Sequence, residues 1–570
     1  MMETLTKIMA TALLPVTAMA FWRMGSSLLT YYIYKRFTVL KELMDIGKAR
    51  VDDERIAGTA VICGGSIAGL WAARICADHF EDVVVVEPEA WIMSNDGSKP
   101  IYDERGDKIG STEHRPRTRV HQYFAAHVFW NLSLLALRRL FPDFEKELLK
   151  RDGKIVEAEL NCYTWAGRVF RSSKHWYPEG EAPQIFSCSR DAYERLLRCL
   201  VMKSSSRIRQ VTGTVTGVKP FADDHSKIEK VVVSKSDSDG TKLLEIPAAL
   251  VVDCTGATQA GFKWIKRLCA NTNSQEIGSD RWNKLIDSYN IHGNWKAFDF
   301  FVPPEIRAVV SIPGGYDNYK WLYTFIPFPG CENKLFLINR IEGHRIRYSF
   351  YGWGNPPIPE SPEGILDYMA TVKSDVPVPQ WAFDLLSQLL KVNEIQVYTG
   401  KMPLMNWVHY EKAPFVPSNF VAIGDAVMKV NPTFGQGCTK ACIGAIVLDN
   451  LLRSPRYAQT RKVVPGFSSE FFKIHHDKIV DAWNGTKPMD YMFSTTTPVK
   501  GENLDDEKIS GTFALLLLEV ATEDSDVDAL LCHMRQFIAP AANLYAPWVF
   551  WRVLKFCLNK KIRKLWEETV

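Results

Sequence analysis

An α/β fold is what the 570-residue sequence predicts, with a parallel sheet assembled from pieces far apart in the chain. Three observations carry that expectation. Residues 59–88, TAVICGGSIAGLWAARICADHFEDVVVVEP, read as apolar strand, glycine turn, Ala-rich helix and a second apolar strand that ends on an acid, Glu87. Residues 250–256, LVVDCTG, read as a short strand closed by a tight turn at Gly256. Residues 420–452, FVAIGDAVMKVNPTFGQGCTKACIGAIVLDNLL, read as a strand ending in Gly424-Asp425, a glycine turn and a small-residue helix.

The first element has the order that holds the adenosine and pyrophosphate of a dinucleotide, with Gly64, Gly65, Ser66, Ala68 and Gly69 around the phosphates and Glu87 on the ribose. In the third, Asn431-Pro432 and Gly435-Gln436-Gly437 form a turn whose backbone N–H groups can approach a ligand closely. The helix that starts near Cys438 then aims its positive end at a ligand oxygen. Asp425 is placed to accept a hydrogen bond from a ribityl hydroxyl. Between these elements the runs 211–218, 228–233 and 243–246 predict a small antiparallel insertion. The runs 320–330, 333–341 and 344–354, with turns at Pro329-Gly330 and Glu342-Gly343, predict a larger antiparallel sheet. After Leu452 the apolar spacing is helical.

Composition narrows the function. A net charge of +4 with 24 % charged residues excludes the concentrated basic face of a nucleic-acid binder. The 12 cysteines form no CxxC pair and no zinc-ligand spacing, so Cys63, Cys254 and Cys442 read as buried free thiols and no metal is expected. His475-His476-Asp477 falls on different sides of a helix and reads as a solvated face. No nucleophile elbow is present.

Both ends are apolar. Residues 9–22, MATALLPVTAMAFW, and then MGSSLLTYYIY up to Tyr34 fit a signal segment, a spanning or interfacial anchor, or a helix packed on the body. The tail from Ala541 mixes Trp548, Phe550, Trp551 and Phe556 with Arg552, Lys555, Lys560 and Lys561, a mixture suited to a headgroup region. Together they predict a protein at an intracellular membrane surface.

With GGSIAG and Glu87, DCTG, and GDAVMKVNPTFGQG in this order, the chain resembles the flavoprotein monooxygenases, the FAD-dependent aromatic hydroxylases and epoxidases, over about residues 59–452. The resemblance implies a discontinuous Rossmann-like FAD-binding fold with an antiparallel substrate-binding sheet and a helical C-terminal region. The expected division is 1–54 as N-terminal anchor or packing helices, 55–264 as the FAD-binding part with its inserted hairpin, 265–400 as the substrate sheet, 401–455 as the return to the FAD part and 456–570 as the helical region. The implied activity is insertion of one oxygen atom from O2 into a lipophilic organic substrate, by hydroxylation or epoxidation through a flavin hydroperoxide. The alternatives are a reductase or dehydrogenase of a lipid-like substrate, or a non-catalytic membrane-associated protein of the same fold. NADPH or NADH, or an electron-donor reductase, would supply electrons. The implied FAD contacts are Gly64, Gly65, Ser66, Ala68, Gly69, Glu87, Arg119, Arg190, Gly256, Gly424, Asp425, Pro432, Gly435, Gln436 and Gly437, with Arg119 and His121 as catalytic residues. Trp321, Tyr323, Phe325, Tyr348, Phe350 and Trp353 are candidates for the wall over the flavin. Two departures stand out: Ser66 replaces the usual third glycine, and DCTGAT stands where many hydroxylases carry an Asp-Gly motif tied to NAD(P)H use.

Overall fold

The computed structural model describes residues 23–120, 122–158, 163–170, 180–237, 240–271, 279–310, 312–313, 315–318, 321–391 and 394–567. Five strands build the parallel sheet, in the order Phe420–Ala422, Leu250–Asp253, Ile56–Cys63, Phe80–Glu87, Ile208–Thr212. Cys63 pairs with Asp253 on one side and Val86 on the other, and Asp253 pairs with Ala422. The three motif strands therefore end level with one another, and their turns all emerge at one sheet edge. Val83 to Val86 and Leu250 to Val252 are fully buried, as a parallel sheet covered on both faces requires. Helix Ile67–His79 is buried on nearly every side, because helices Arg190–Ser204 and Gly437–Arg453 pack against it as well as the sheet.

The insertion is a three-stranded meander of Thr214–Pro220, Ile228–Asp237 and Gly240–Pro247. The run expected as one strand over 211–218 is two. It breaks at Gly213, whose N–H bonds the Glu87 carbonyl at 3.0 Å and where a Cβ would lie 2.5 Å from Val233 Cγ1. Residues before the break join the parallel sheet and residues after it join the meander.

A seven-stranded sheet follows, in the order Ile395–Lys401, Asn294–Phe301, Arg345–Gly352, Lys334–Ile341, Trp321–Ile326, Tyr163–Trp165, Arg168–Val169. Its last two strands come from within the 55–264 segment. One face carries Phe298, Phe300, Tyr323, Phe325, Phe336, Tyr348 and Phe350, which pack under helices Gly364–Thr371 and Gln380–Leu389. Beyond the parallel sheet the chain closes with helices Phe467–Asn484, Lys508–Ala521, Ser525–Arg535 and Pro547–Glu567. Residues 23–37 are helical and mostly exposed. Buried Lys478 fastens the segment that follows, donating to the carbonyls of Lys35 and Thr38 and pairing with Glu42 at 2.8 Å. Residues 1–22 lie outside the described residues, and no described helix is long and apolar enough to cross a membrane.

Candidate functional site

The site begins with backbone. Gly64 adopts φ +116°, and a Cβ there would collide with the Cys254 carbonyl. A Cβ on Gly69 would collide with the Gly64 carbonyl, so only glycine lets the helix start this close to the strand end. The Ser66 hydroxyl makes no cap bond to its own helix. It donates to Glu194 Oε2 at 2.7 Å and accepts from Arg190 Nη2 at 3.2 Å, tying the loop to helix Arg190–Ser204. The serine that departs from the family pattern is thus a relay that glycine could not supply. Helix Gly437–Arg453 also starts without a side-chain cap. A Cβ on Gly424 would sit 3.1 Å from Ala68 Cβ and 3.5 Å from Ala441 Cβ, which places Gly424 between the opening turns of both helices. Two helix N-termini without side-chain caps, each a positive dipole end, therefore come together at Gly424.

Charge is concentrated beside this loop. Glu87 accepts from Gly65 N at 2.9 Å and pairs with Arg117 Nη2 at 2.8 Å. Arg117 also pairs with Glu89 and Glu194, and Arg198 donates to the Gly65 carbonyl. Burial opposes the charge on Arg117, yet Glu194, Glu87 and Glu89 together raise its pKa. Burial likewise opposes the Glu194 carboxylate, which Arg117, Arg190 and Arg198 hold below its ordinary range. Arg190 opens its helix after the N-cap Ser189, whose N–H and hydroxyl both bond Glu342 at the turn of the seven-stranded sheet. Its Nη1 reaches His127 Nε2 at 3.3 Å, and His127 Nδ1 donates to the Ala125 carbonyl at 2.9 Å. Burial, helped by Arg190, pushes His127 down to about 3, so the ring is neutral.

At the other side of the cleft, Asp425 pairs with Lys440 Nζ at 3.1 Å, and Lys440 also donates to the Met428 carbonyl. Gln259 Nε2 reaches the Asp425 carbonyl at 3.3 Å. Gly256 and Gly437 face open space. Asp253 is turned inward: it accepts from Thr255 N, Thr255 Oγ1 and Gly261 N at 2.9, 2.7 and 2.8 Å, and caps its own turn.

The turn at Asn431-Pro432 is held by a residue far along the chain. Asp490 Oδ1 accepts from Asn431 Nδ2 and Trp353 Nε1, both at 2.7 Å, and Oδ2 accepts from the Tyr289 hydroxyl at 2.8 Å. Burial pushes its carboxyl up to about 6 against those three hydrogen bonds. Beside the same turn, Trp130 Nε1 is buried without a partner among the described residues, and its ring lies within 3.5 Å of a Cβ placed on Gly435.

From this turn a cavity of about 690 Å³ extends toward the C-terminal helices. Thr433, Phe434 and Gln436 line it where it meets the turn, with Trp130 and Val128 alongside. The sheet contributes Thr324, Ile326, Leu335 and Leu337, small or aliphatic, and Trp165. Phe513, Leu517, Met534 and Tyr545 close the opposite wall, and Arg36 and Phe37 stand at the end of the N-terminal helix. The volume and the apolar lining suit an organic ligand.

The structure thus brings Gly64, Gly65, Ser66, Ala68, Gly69, Glu87, Arg190, Gly256, Gly424, Asp425, Pro432, Gly435, Gln436 and Gly437 to the ends of adjacent strands and the turns that leave them. Arg119 is exposed on a turn, and the buried arginine of that segment is Arg117. His121 lies outside the described residues. Of the aromatic wall candidates, Tyr323, Phe325, Tyr348 and Phe350 belong to the opposite, helix-covered face, and Trp353 alone of those with described side chains lines the cavity. Trp321 contributes a described backbone only. Asp490, Glu194, Arg117, His127 and Lys440 were not found from sequence. Asp490 and His127 are isolated polar residues in apolar stretches, whereas Arg117 and Glu194 are hidden among other charged residues.

The chain matches no protein-family model and no curated protein sequence. Solved structures do match. A flavoprotein/dehydrogenase from Cytophaga hutchinsonii aligns over 89 % of this chain and 99 % of its own, at 12 % identity and a TM-score of 0.51. The flavin-dependent brominase Bmp2 aligns over 88 % of this chain and 100 % of its own, at 13 % identity and a TM-score of 0.48. This chain therefore shares its overall fold with the Cytophaga protein.

Proposed function

We propose that this chain is an FAD-dependent monooxygenase that inserts one oxygen atom of O2 into a lipophilic organic substrate, by hydroxylation or epoxidation. One observation carries the reading: an apolar cavity starts at the glycine turn that opens uncapped helix Gly437–Arg453, whose first turns meet those of uncapped helix Ile67–His79 at Gly424. The residues present fit FAD. The N-termini at Ser66 and Gln436 suit its pyrophosphate and a flavin carbonyl. Asp425 keeps Oδ2 for a ribityl hydroxyl while Lys440 holds Oδ1. Glu87 shares its carboxylate between Arg117 and a ribose hydroxyl, since a carboxylate offers about four lone-pair sites. Trp130 Nε1 is a buried donor still to be used.

Reduced FAD supplies the electrons that activate O2. The protein's part is to bind, orient and exclude water. Buried Arg190, rather than exposed Arg119, takes the guanidinium role beside the cofactor, and neutral His127 orients it. Leu335, Leu337, Phe434 and Leu517 keep the reacting space apolar. Electrons come from NADPH or NADH, or from a reductase; inward-turned Asp253 favours the reductase. Purified protein should be yellow, and turnover under 18O2 should place one labelled atom in the product. A product without label would overturn the monooxygenase reading in favour of a dehydrogenase, the activity named for the Cytophaga protein.

We place the protein at an intracellular membrane surface. The support is a row of exposed apolar side chains on the last helix, Trp551, Leu554, Leu558 and Ile562, and a second set, Met24, Leu28 and Leu29, on residues 23–37. Asn543 Nδ2, in the turn before the last helix, bonds the Tyr34 hydroxyl at 3.0 Å, and Arg36, Phe37, Leu544 and Tyr545 line the cavity's outer end. A lipophilic substrate would pass from bilayer to cavity through that end.

A further inference from the structure

Strand Met405–Val408 runs into His409, and the short turn Tyr410–Lys412 brings Glu411 back beside it. His476 reaches the same place from the middle of helix Phe467–Asn484. One donor atom from each of the three lies within 4.8 Å of the other two, the one such group of histidine, cysteine and acid side chains among the described residues. His409 Nδ1 is 2.8 Å from Glu411 Oε1, and His476 Nε2 is 3.6 Å from that same oxygen. Four-coordinate zinc, with bonds of about 2.0–2.1 Å, holds its donor atoms ~3.3 Å apart. The three groups reach that spacing by side-chain shifts of about an ångström.

The outer nitrogens argue further. His409 Nε2 lies 2.9 Å from Asp287 Oδ2, and His476 Nδ1 lies 3.4 Å from Asp477 Oδ1. A ligating imidazole hands its remaining N–H to a carboxylate, which fixes the tautomer and the ring's direction. Both rings here already have that partner. Trp407 lies against both, with ring centroids 4.4 Å from His409 and 5.0 Å from His476. His409 is buried while Glu411 and His476 are partly exposed, so an ion has a way in. The adjacent His475 takes no part: it packs on Phe471 toward helix Gly437–Arg453, as its helical position dictates.

We propose that His409, Glu411 and His476 bind Zn2+ as a three-ligand site, with Asp287 and Asp477 orienting the two rings. The ion would clamp the loop after Val408 to the helix that walls the cavity, where His476, Val480 and Asn484 face the substrate space. Its place is structural and separate from the flavin cleft, so it stands whether or not the proposed oxygenation does.

The test uses EDTA-treated full-length protein, titrated with Co2+ and then with Zn2+. About one equivalent of Co2+ should give the visible absorption of four-coordinate cobalt, and Zn2+ should abolish it. His409→Gln and His476→Ala should each weaken Zn2+ binding by about tenfold or more, and Asp287→Asn by about 10–100-fold. His225→Gln, at an exposed turn, should change nothing. If loss of either ring unfolds the chain, Glu411→Gln keeps the shape and should give the same weakening. No cobalt band, or Zn2+ binding that survives both the His476 and the Glu411 substitutions, overturns the proposal.

Discussion

The two ends of the candidate site are built from different materials. The proposed cofactor end is backbone: glycines that admit close approach, and helix starts that offer N–H groups. The cavity end is side chain, gathered from a sheet face, two C-terminal helices and the end of an N-terminal one. A backbone site tolerates little change in shape but much change in its surroundings. A side-chain site is the reverse, and substrate range can drift there while the cofactor stays fixed. Asp490 joins the two, because it holds Asn431 of the glycine turn and Trp353 of the cavity wall on one oxygen.

Substitutions should separate the two ends, and the joint should give the largest effect. Asp490→Ala strands three buried donors, each costing about 1–3 kcal/mol. It should lower stability in a chemical melt and reduce both FAD content and turnover. Asp490→Asn should be milder, because its amide reproduces the protonated acid. The acid is easier to protonate folded, at about 6, than unfolded, at about 3.9, so the fold binds the extra proton. Stability from this group is therefore present at low pH and lost as pH rises from about 4 to about 6, by roughly 3 kcal/mol. Melts of the Asn variant across that window should lack the slope.

Next in size are the two faces of the seven-stranded sheet. Phe350→Ala empties a fully buried site against Tyr368 and should cost about 3–5 kcal/mol in an unfolding titration. Leu337→Trp, on the cavity face, should leave FAD binding intact and abolish turnover of bulky substrates. If FAD binding falls as well, the ends are not separable.

These faces also show what the sequence could and could not reveal. Strand, glycine turn and helix at 56–79 were legible because every determinant is local. The parallel order followed from three strands that each end in a turn. The break at Gly213 was not legible, since its cause is Val233 on a neighbouring strand. Strand alternation lets only half of the aromatics face the cavity, and it does not say which face the helices cover. Asp490 is 59, 137 and 201 residues from its three partners, so no local pattern announces it. His476 was set aside for its neighbours in sequence, while Glu411 and His409 meet it only in space.

Asp425→Ala tests the cofactor end alone. It removes one or more charge-assisted hydrogen bonds, each about 1.5–3 kcal/mol, and should weaken FAD about tenfold in a fluorescence titration with stability little changed. An unchanged FAD affinity would move the ribityl chain away from Asp425. The smallest effect belongs to the surface. Replacing Trp551 and Leu554 by serine should leave activity on a soluble substrate unchanged and reduce flotation with anionic liposomes. Equal flotation of both proteins would remove the last helix from the membrane proposal.

The edge strand Phe420–Ala422 has a consequence for how the protein is made. Leu250–Asp253 has no neighbour on its outer side until residues 420–422 arrive, and Lys478 and Asn543 fasten the N-terminal segment later still. At about 5–20 residues per second, the ribosome needs ~8–33 s to travel from residue 253 to residue 420. During that interval the nascent sheet exposes an open edge of Val and Leu, the kind of surface that pairs with other chains. The open edge stays unpaired until that late strand arrives, and a chain cut before residue 420 should aggregate when it leaves the ribosome.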